Sequence, residues 1–248
     1  MKQSRFFIML SSAAMVLFLT SCGGSGNGEK TNTDTTKAAT DTSTAVTTMP
    51  TSTIVTSPQN MMVVTHKVKD FAKWKPSYDA HDSLRLAFGV HSYVIGRGLT
   101  DSNMVLVATK VDDLAKAKAF SKDPSLKKAM EKSGVTGMPS ISFVTMTFQD
   151  TATIDSKLRS RTTFMVKDWD AWQKAFEEGK QERLDNGITV RAYGHDADNN
   201  KKVVLVTAIT DSTKAFAYYK SDALKKRRAA SGVIGEPQRF IYNLVQRY

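Results

Sequence analysis

The polar side chains best placed to do chemistry fall on two short alternating segments. Between Val90 and Arg97, an extended backbone puts His91, Tyr93, Ile95 and Arg97 on one face and Val90, Ser92, Val94 and Gly96 on the other. The pattern returns with Thr189, Arg191, Tyr193 and His195 opposite Ile188, Val190, Ala192 and Gly194. Small apolar residues suit contact with helices, so the polar face is expected on the far side of the sheet. There His91, Tyr93, Arg97, Arg191, Tyr193 and His195 would orient an anionic or phenolic ligand, a tyrosine acting as donor or proton relay. The alternative is a partly solvated face, or one on which tyrosine and arginine satisfy each other across an interface.

The remaining groups have plainer readings beside their chemical ones. His66 is in register with Val64 and Val68, which suits a hydrogen-bonded core histidine. His81 and Arg85 fall on the inward stripe of a helix, and Arg183 occupies the place of Arg85 further on. The two arginines would line a cavity or anchor a helix end by an ion pair. Trp74 and Trp172 are expected to plug a sheet–helix interface. No nucleophile elbow, zinc-protease helix, phosphate loop or dinucleotide fingerprint occurs, so neither metal nor nucleotide cofactor is expected. One cysteine excludes a disulfide scaffold and a cysteine-based zinc module.

These residues are positioned by a unit that occurs twice. Val68-Lys69-Asp70 and Trp74 reappear as Val166-Lys167-Asp168 and Trp172, and the same offset of 98 carries Gly89 onto Gly187, Gly96 onto Gly194 and Pro139 onto Pro237. Residues 66–146 show 23 identities in 81 ungapped pairs, the mark of a tandem duplication. In each copy an apolar strand (Met61 to Val68) precedes a helix capped by Asp70 and ended by Gly89. Strands Val90 to Leu99 and Met104 to Val111 follow around a polar turn, then helical segments from Asp112 to Phe120 and onward to Lys132. Ser140 to Phe148 is the last strand. The order β-α-β-β-α-β is the ferredoxin-like split unit, whose uncovered sheet face a second copy would cover.

Val68-Lys69-Asp70 through Trp74, Ala117-Lys118-Ala119-Phe120, Leu126-Lys127-Lys128-Ala129, Ser133-Gly134-Val135 and Pro139 together resemble the dimeric α/β-barrel superfamily. The antibiotic-biosynthesis-monooxygenase-like and stress-responsive barrel proteins are the nearest branches. The resemblance implies an α+β fold in which two ferredoxin-like repeats, 59–152 and 153–248, fuse into one pseudo-dimeric barrel, so that a monomer does the work of a dimer. It implies a cavity beside the sheet, hence a small-molecule ligand, and admits two activities. One is a binding module for a small apolar or weakly acidic ligand. The other is a cofactor-independent monooxygenase-like enzyme acting on an aromatic or quinone-like compound. The haem-degrading branch uses histidine, but no histidine recurs at equivalent positions of the two repeats, so no cofactor is expected.

The leading segment concerns location. Lys2 and Arg5 precede an apolar stretch from Phe6 to Leu19, the form of an export signal over residues 1–21. Leu19-Thr20-Ser21-Cys22 resembles the bacterial lipoprotein signal-peptidase box, which implies acylation of Cys22 and a membrane-anchored protein of the bacterial cell envelope, on the periplasmic or surface side of the outer membrane. Sixteen of the 36 residues from 23 to 58 are Ser or Thr, so residues 22–58 read as an acylated tether. The remainder has 31 basic and 21 acidic residues, a net of +10. Its densest basic run, Lys225-Lys226-Arg227-Arg228, reads as a solvated helix face, and no nucleic-acid partner is expected.

Overall fold

The computed structural model describes residues 52–248. Cys22, the export signal and most of the tether lie outside them. The last tether residues include a short strand, β1 (Ile54–Val55), which pairs with the end of the first repeat at Asp150 and Gln149.

The first repeat runs β2 (Gln59–Val68), α1 (Phe71–Ala80), α2 (Asp82–Leu86), β3 (Val90–Gly98), β4 (Met104–Val111), α3 (Leu114–Phe120), α4 (Pro124–Lys132) and β5 (Val135–Asp150). The second runs β6 (Leu158–Val166), α5 (Trp169–Glu178), α6 (Lys180–Asp185), β7 (Ile188–Asp196), β8 (Asn199–Ile209), α7 (Ser212–Tyr219), α8 (Asp222–Ala230) and β9 (Val233–Arg247). Each long helix begins as the sequence predicts. The Asp70 carboxylate accepts from the Ala72 amide at 2.8 Å, and Asp168 accepts from Ala171 at the same distance, satisfying donors that a first helical turn leaves open.

The helix expected to run unbroken to Phe88 is instead jointed at His81. The imidazole Nδ1 bonds the Ser77 carbonyl oxygen at 2.6 Å, and Arg85 Nη1 donates to the Tyr78 carbonyl at 2.7 Å. Side chains thus occupy carbonyls that the next turn would have used, and a second, short helix begins at Asp82. The final strand also begins earlier than expected, at Val135, because a bulge opposite Thr65 and Lys67 absorbs Gly137 at φ 69°.

All strand pairs are antiparallel. The order β5-β2-β4-β3-β9-β6-β8-β7 returns to β5 through a β5–β7 pairing, so eight strands close a barrel. Two seams, β3–β9 and β5–β7, join the repeats at positions related by the offset of 98. The barrel interior holds Met61, Val63, Leu106, Val144, Met146 and Tyr242. Gly96 is needed there, since a Cβ at that position would stand 2.1 Å from the Tyr242 ring. Outside the barrel, the helices of each repeat pack on their own half of the sheet around Trp74 and Trp172, each 2% exposed.

Candidate functional site

The six residues expected on one face do not come together, and a bulge in each second strand explains why. Tyr93 and Val94 together oppose one residue of β4, and Arg191 and Ala192 do the same against β8. The extra residue reverses the alternation, so everything beyond it changes sides. Tyr93 and Arg191, at the bulges, line the barrel interior. Arg97 lies instead on the helix layer, its guanidinium 4.3 Å from the Phe71 ring centre and its Nε bonded to the Ser102 carbonyl at 2.7 Å. Tyr193 is 4% exposed among Trp172, Phe176 and Phe148, and accepts from Gln173 at 3.3 Å. His195 meets Trp169 edge-on at 5.0 Å, and His91 sits at the surface 2.9 Å from Asp112.

Each repeat carries a cleft between sheet and helices. The first, about 60 Å³, is bounded by Met62, Val64 and Thr109 from the sheet and by Trp74, Leu126 and Met130 from the helices. Tyr78, His81 and Arg85 also line it, and the protein already engages each of them, although Arg85 Nε has no partner among the described residues. The Tyr78 hydroxyl shares a 2.8 Å hydrogen bond with Ser92, His81 holds Ser77, and Arg85 pairs with Asp82 at 2.9 Å while stacking 3.8 Å from the Tyr78 ring centre. Arg85 therefore meets both expectations, lining a cavity and anchoring a helix end. Arg183 repeats the anchor on the Phe176 carbonyl at 2.5 Å.

His66 is the exception. It is 4% exposed, its ring 5.4 Å from Trp74, and neither ring nitrogen has a hydrogen-bond partner among the described residues. The expected apolar surroundings are present, whereas the expected internal hydrogen bond is missing. Burial lowers its pKa to about 4, so at neutral pH the ring is uncharged, with one N–H donor and one bare nitrogen acceptor on a residue that lines the cleft.

The second cleft, about 80 Å³, is more cationic. Phe164 stands where the first has His66, and Arg227 and Arg228 stand where it has Ala129 and Met130. The basic run on α8 is thus only half a solvated face. Lys225 and Lys226 are exposed, but Arg227 turns to Glu182, where its Nε bonds at 2.5 Å, and Arg228 and Arg239 line the cleft. Burial lowers the Arg239 pKa to about 10, while its guanidinium stacks 3.4 Å from the Tyr219 ring centre. Tyr218 donates to Glu182 at 2.9 Å, and burial raises its pKa to about 12.

A third cavity of about 100 Å³ lies inside the barrel, where Tyr93 and Arg191 meet Arg159, Arg161 and Arg247. Arg159 and Arg161 escaped the reading of the sequence. The signal that marks them is their offset onto the apolar Met61 and Val63 of the first repeat.

No protein-family model and no curated protein sequence matches the chain. Solved structures do. A candidate monooxygenase from Fusobacterium nucleatum subsp. nucleatum superposes with a TM-score of 0.51 at 13% identity, over 76% of this chain and 93% of that one. The fold is the dimeric α/β barrel. An anthrone oxidase-like protein shares it with a TM-score of 0.50 at 15% identity, over 78% of this chain and 94% of its own. At such identities the likeness speaks for the dimeric α/β barrel alone, in the antiparallel arrangement that the repeats foretell.

Proposed function

We propose that this chain is a lipid-anchored cell-envelope protein whose fused barrel binds a small apolar or weakly acidic molecule in the cleft of its first repeat. One observation carries the reading: a neutral, buried imidazole with both nitrogens unpartnered among the described residues, in a cleft where the Tyr78 hydroxyl, the His81 imidazole and both terminal nitrogens of Arg85 are already bonded. A buried donor or acceptor left unmade costs on the order of 1–3 kcal/mol, and a ligand hydroxyl or carbonyl would relieve that cost. The surrounding methionine, valine and tryptophan side chains would take an apolar body. Tyr78 and Arg85, the groups a catalytic set would need, are committed to helix-end and strand contacts. That favours binding over an oxygenase reaction.

The test compares phenol with toluene as ligands of the wild-type chain and of His66→Phe, the residue that the second repeat accommodates at this place. Wild type should prefer phenol by about tenfold, equivalent to ~1.4 kcal/mol and in keeping with one modest hydrogen bond. The variant should bind the two alike. A phenol preference that survives the substitution would overturn the reading.

The location rests on the Leu19-Thr20-Ser21-Cys22 box and on Cys22 being the sole cysteine. Two acyl chains would hold the protein on a membrane, each buried methylene contributing about 0.8 kcal/mol. Cys22→Ala should abolish labelled fatty-acid incorporation and partition into detergent. Unchanged partition would remove the anchor.

A further inference from the structure

We propose that the barrel interior is a second binding site, for a small organic carboxylate, with the guanidinium groups of Arg159 and Arg161 at its head. The site is separate from the first-repeat cleft, being on the opposite face of the sheet, and the inference does not depend on that cleft being used.

Charge is the first observation. Four arginines, Arg159, Arg161, Arg191 and Arg247, line the cavity, and Asp150 is the one carboxylate lining it among the described residues. Asp150 is taken by Arg191, whose Nη1 lies 2.7 Å from its Oδ2, and Arg191 also donates to the Ala152 carbonyl. Arg247, at the exposed end, donates to the Tyr93 hydroxyl at 2.9 Å. Arg159 is 7% exposed and donates to the Ser156 and Leu158 carbonyls at 2.6 and 3.1 Å. Among the described residues Arg161 has one long contact, Nη2 to the Ser142 hydroxyl at 3.2 Å, and its Nε is buried with no partner. Neither has a carboxylate partner among the described residues, and a buried cation without a counter-charge is unfavourable unless something supplies one. Burial lowers the pKa of both, as expected of guanidinium groups held away from water without an anion.

The duplication gives the second observation, an internal control. At the offset of 98, Arg159, Arg161, Arg191 and Arg247 fall on Met61, Val63, Tyr93 and Gln149, and the strand registers agree: Met61 faces Lys110 as Arg159 faces Ala208. The first repeat therefore builds the same strands and its own half of the barrel wall with no charge at any of the four positions. Strands in this arrangement do not require the arginines.

The lining also sets the ligand class. Guanidinium forks match the two oxygens of a carboxylate, and the opposite wall is Met61, Val63, Leu106 and Met146. A head bearing negative charge on a short apolar body fits such a split surface, and a fully hydrated inorganic ion does not.

The experiment follows thermal unfolding of the full-length chain at fixed ionic strength as benzoate, benzamide, phosphate or chloride is added. Benzoate should raise the midpoint in a saturable way, while equal concentrations of the other three should not. In Arg161→Met, which puts an apolar side chain where the first repeat has Val63, the unliganded midpoint should stay level or rise, and the benzoate shift should shrink at least fivefold in apparent affinity. His66→Phe should keep the full benzoate response, which separates this site from the first-repeat cleft. The proposal is overturned by an equal response to benzamide or chloride, or by an undiminished benzoate shift in Arg161→Met. Should that variant fail to fold, wild-type protein labelled with ¹⁵N-arginine decides instead. Benzoate must shift two or more buried Nε resonances, and their invariance overturns the site.

Discussion

His66 shows how one side chain ties stability to proton concentration. Its pKa is about 4 in the folded chain against 6.5 in the unfolded one, so between these values the unfolded state binds the extra proton. Above pH 6.5 both states are neutral and the residue adds no pH dependence. As pH falls from 6.5 towards 4 the fold loses stability, up to about 3 kcal/mol, since each pKa unit corresponds to ~1.4 kcal/mol. Urea midpoints measured between pH 7 and 4.5 should decline for wild type, and the decline should be distinctly shallower for His66→Phe. Equal slopes would show that the imidazole is not buried as described. The apolar setting of this histidine was legible from its register with Val64 and Val68. Its missing hydrogen bond was not, because partners arrive from helices whose joint at His81 depends on side chains taking backbone carbonyls.

At the scale of elements, the duplication made the architecture readable. Capping aspartates, terminating glycines and tryptophan plugs recur at one spacing, and each has a local physical cause. The bulges do not. Ser92-Tyr93-Val94 and Val190-Arg191-Ala192 contain no glycine or proline to mark an extra residue, and strict alternation was the natural reading. One inserted residue sent Arg97, Tyr193 and His195 to the helix layer and left Tyr93 and Arg191 inside. The seams β3–β9 and β5–β7 carry a prediction of their own. A chain ending at residue 152 keeps β2 to β5 but loses the partners of β3 and β5, and it bares Met61, Val63, Leu106 and Val144. Large exposed apolar surfaces drive association, so residues 59–152 alone should dimerise or precipitate. Sedimentation that returns a stable, soluble monomer would contradict the closure.

For the molecule as a whole, duplication divides labour between halves that share a backbone. The first repeat keeps an apolar barrel wall and a cleft with a neutral histidine, and the second gathers arginines on both faces of its sheet. The net of +10 is therefore not spread as a uniform coat, and part of it is turned inward. The closing strand has a consequence in time. β9 spans 15 residues, ends at Arg247 and pairs with both β3 and β6, while β3 begins at Val90. A polypeptide that crosses a membrane from its amino end presents the first repeat long before the strand that completes it. On the proposed route of export the barrel would not shut until β9 had followed the first repeat across, so closure would wait on the second repeat.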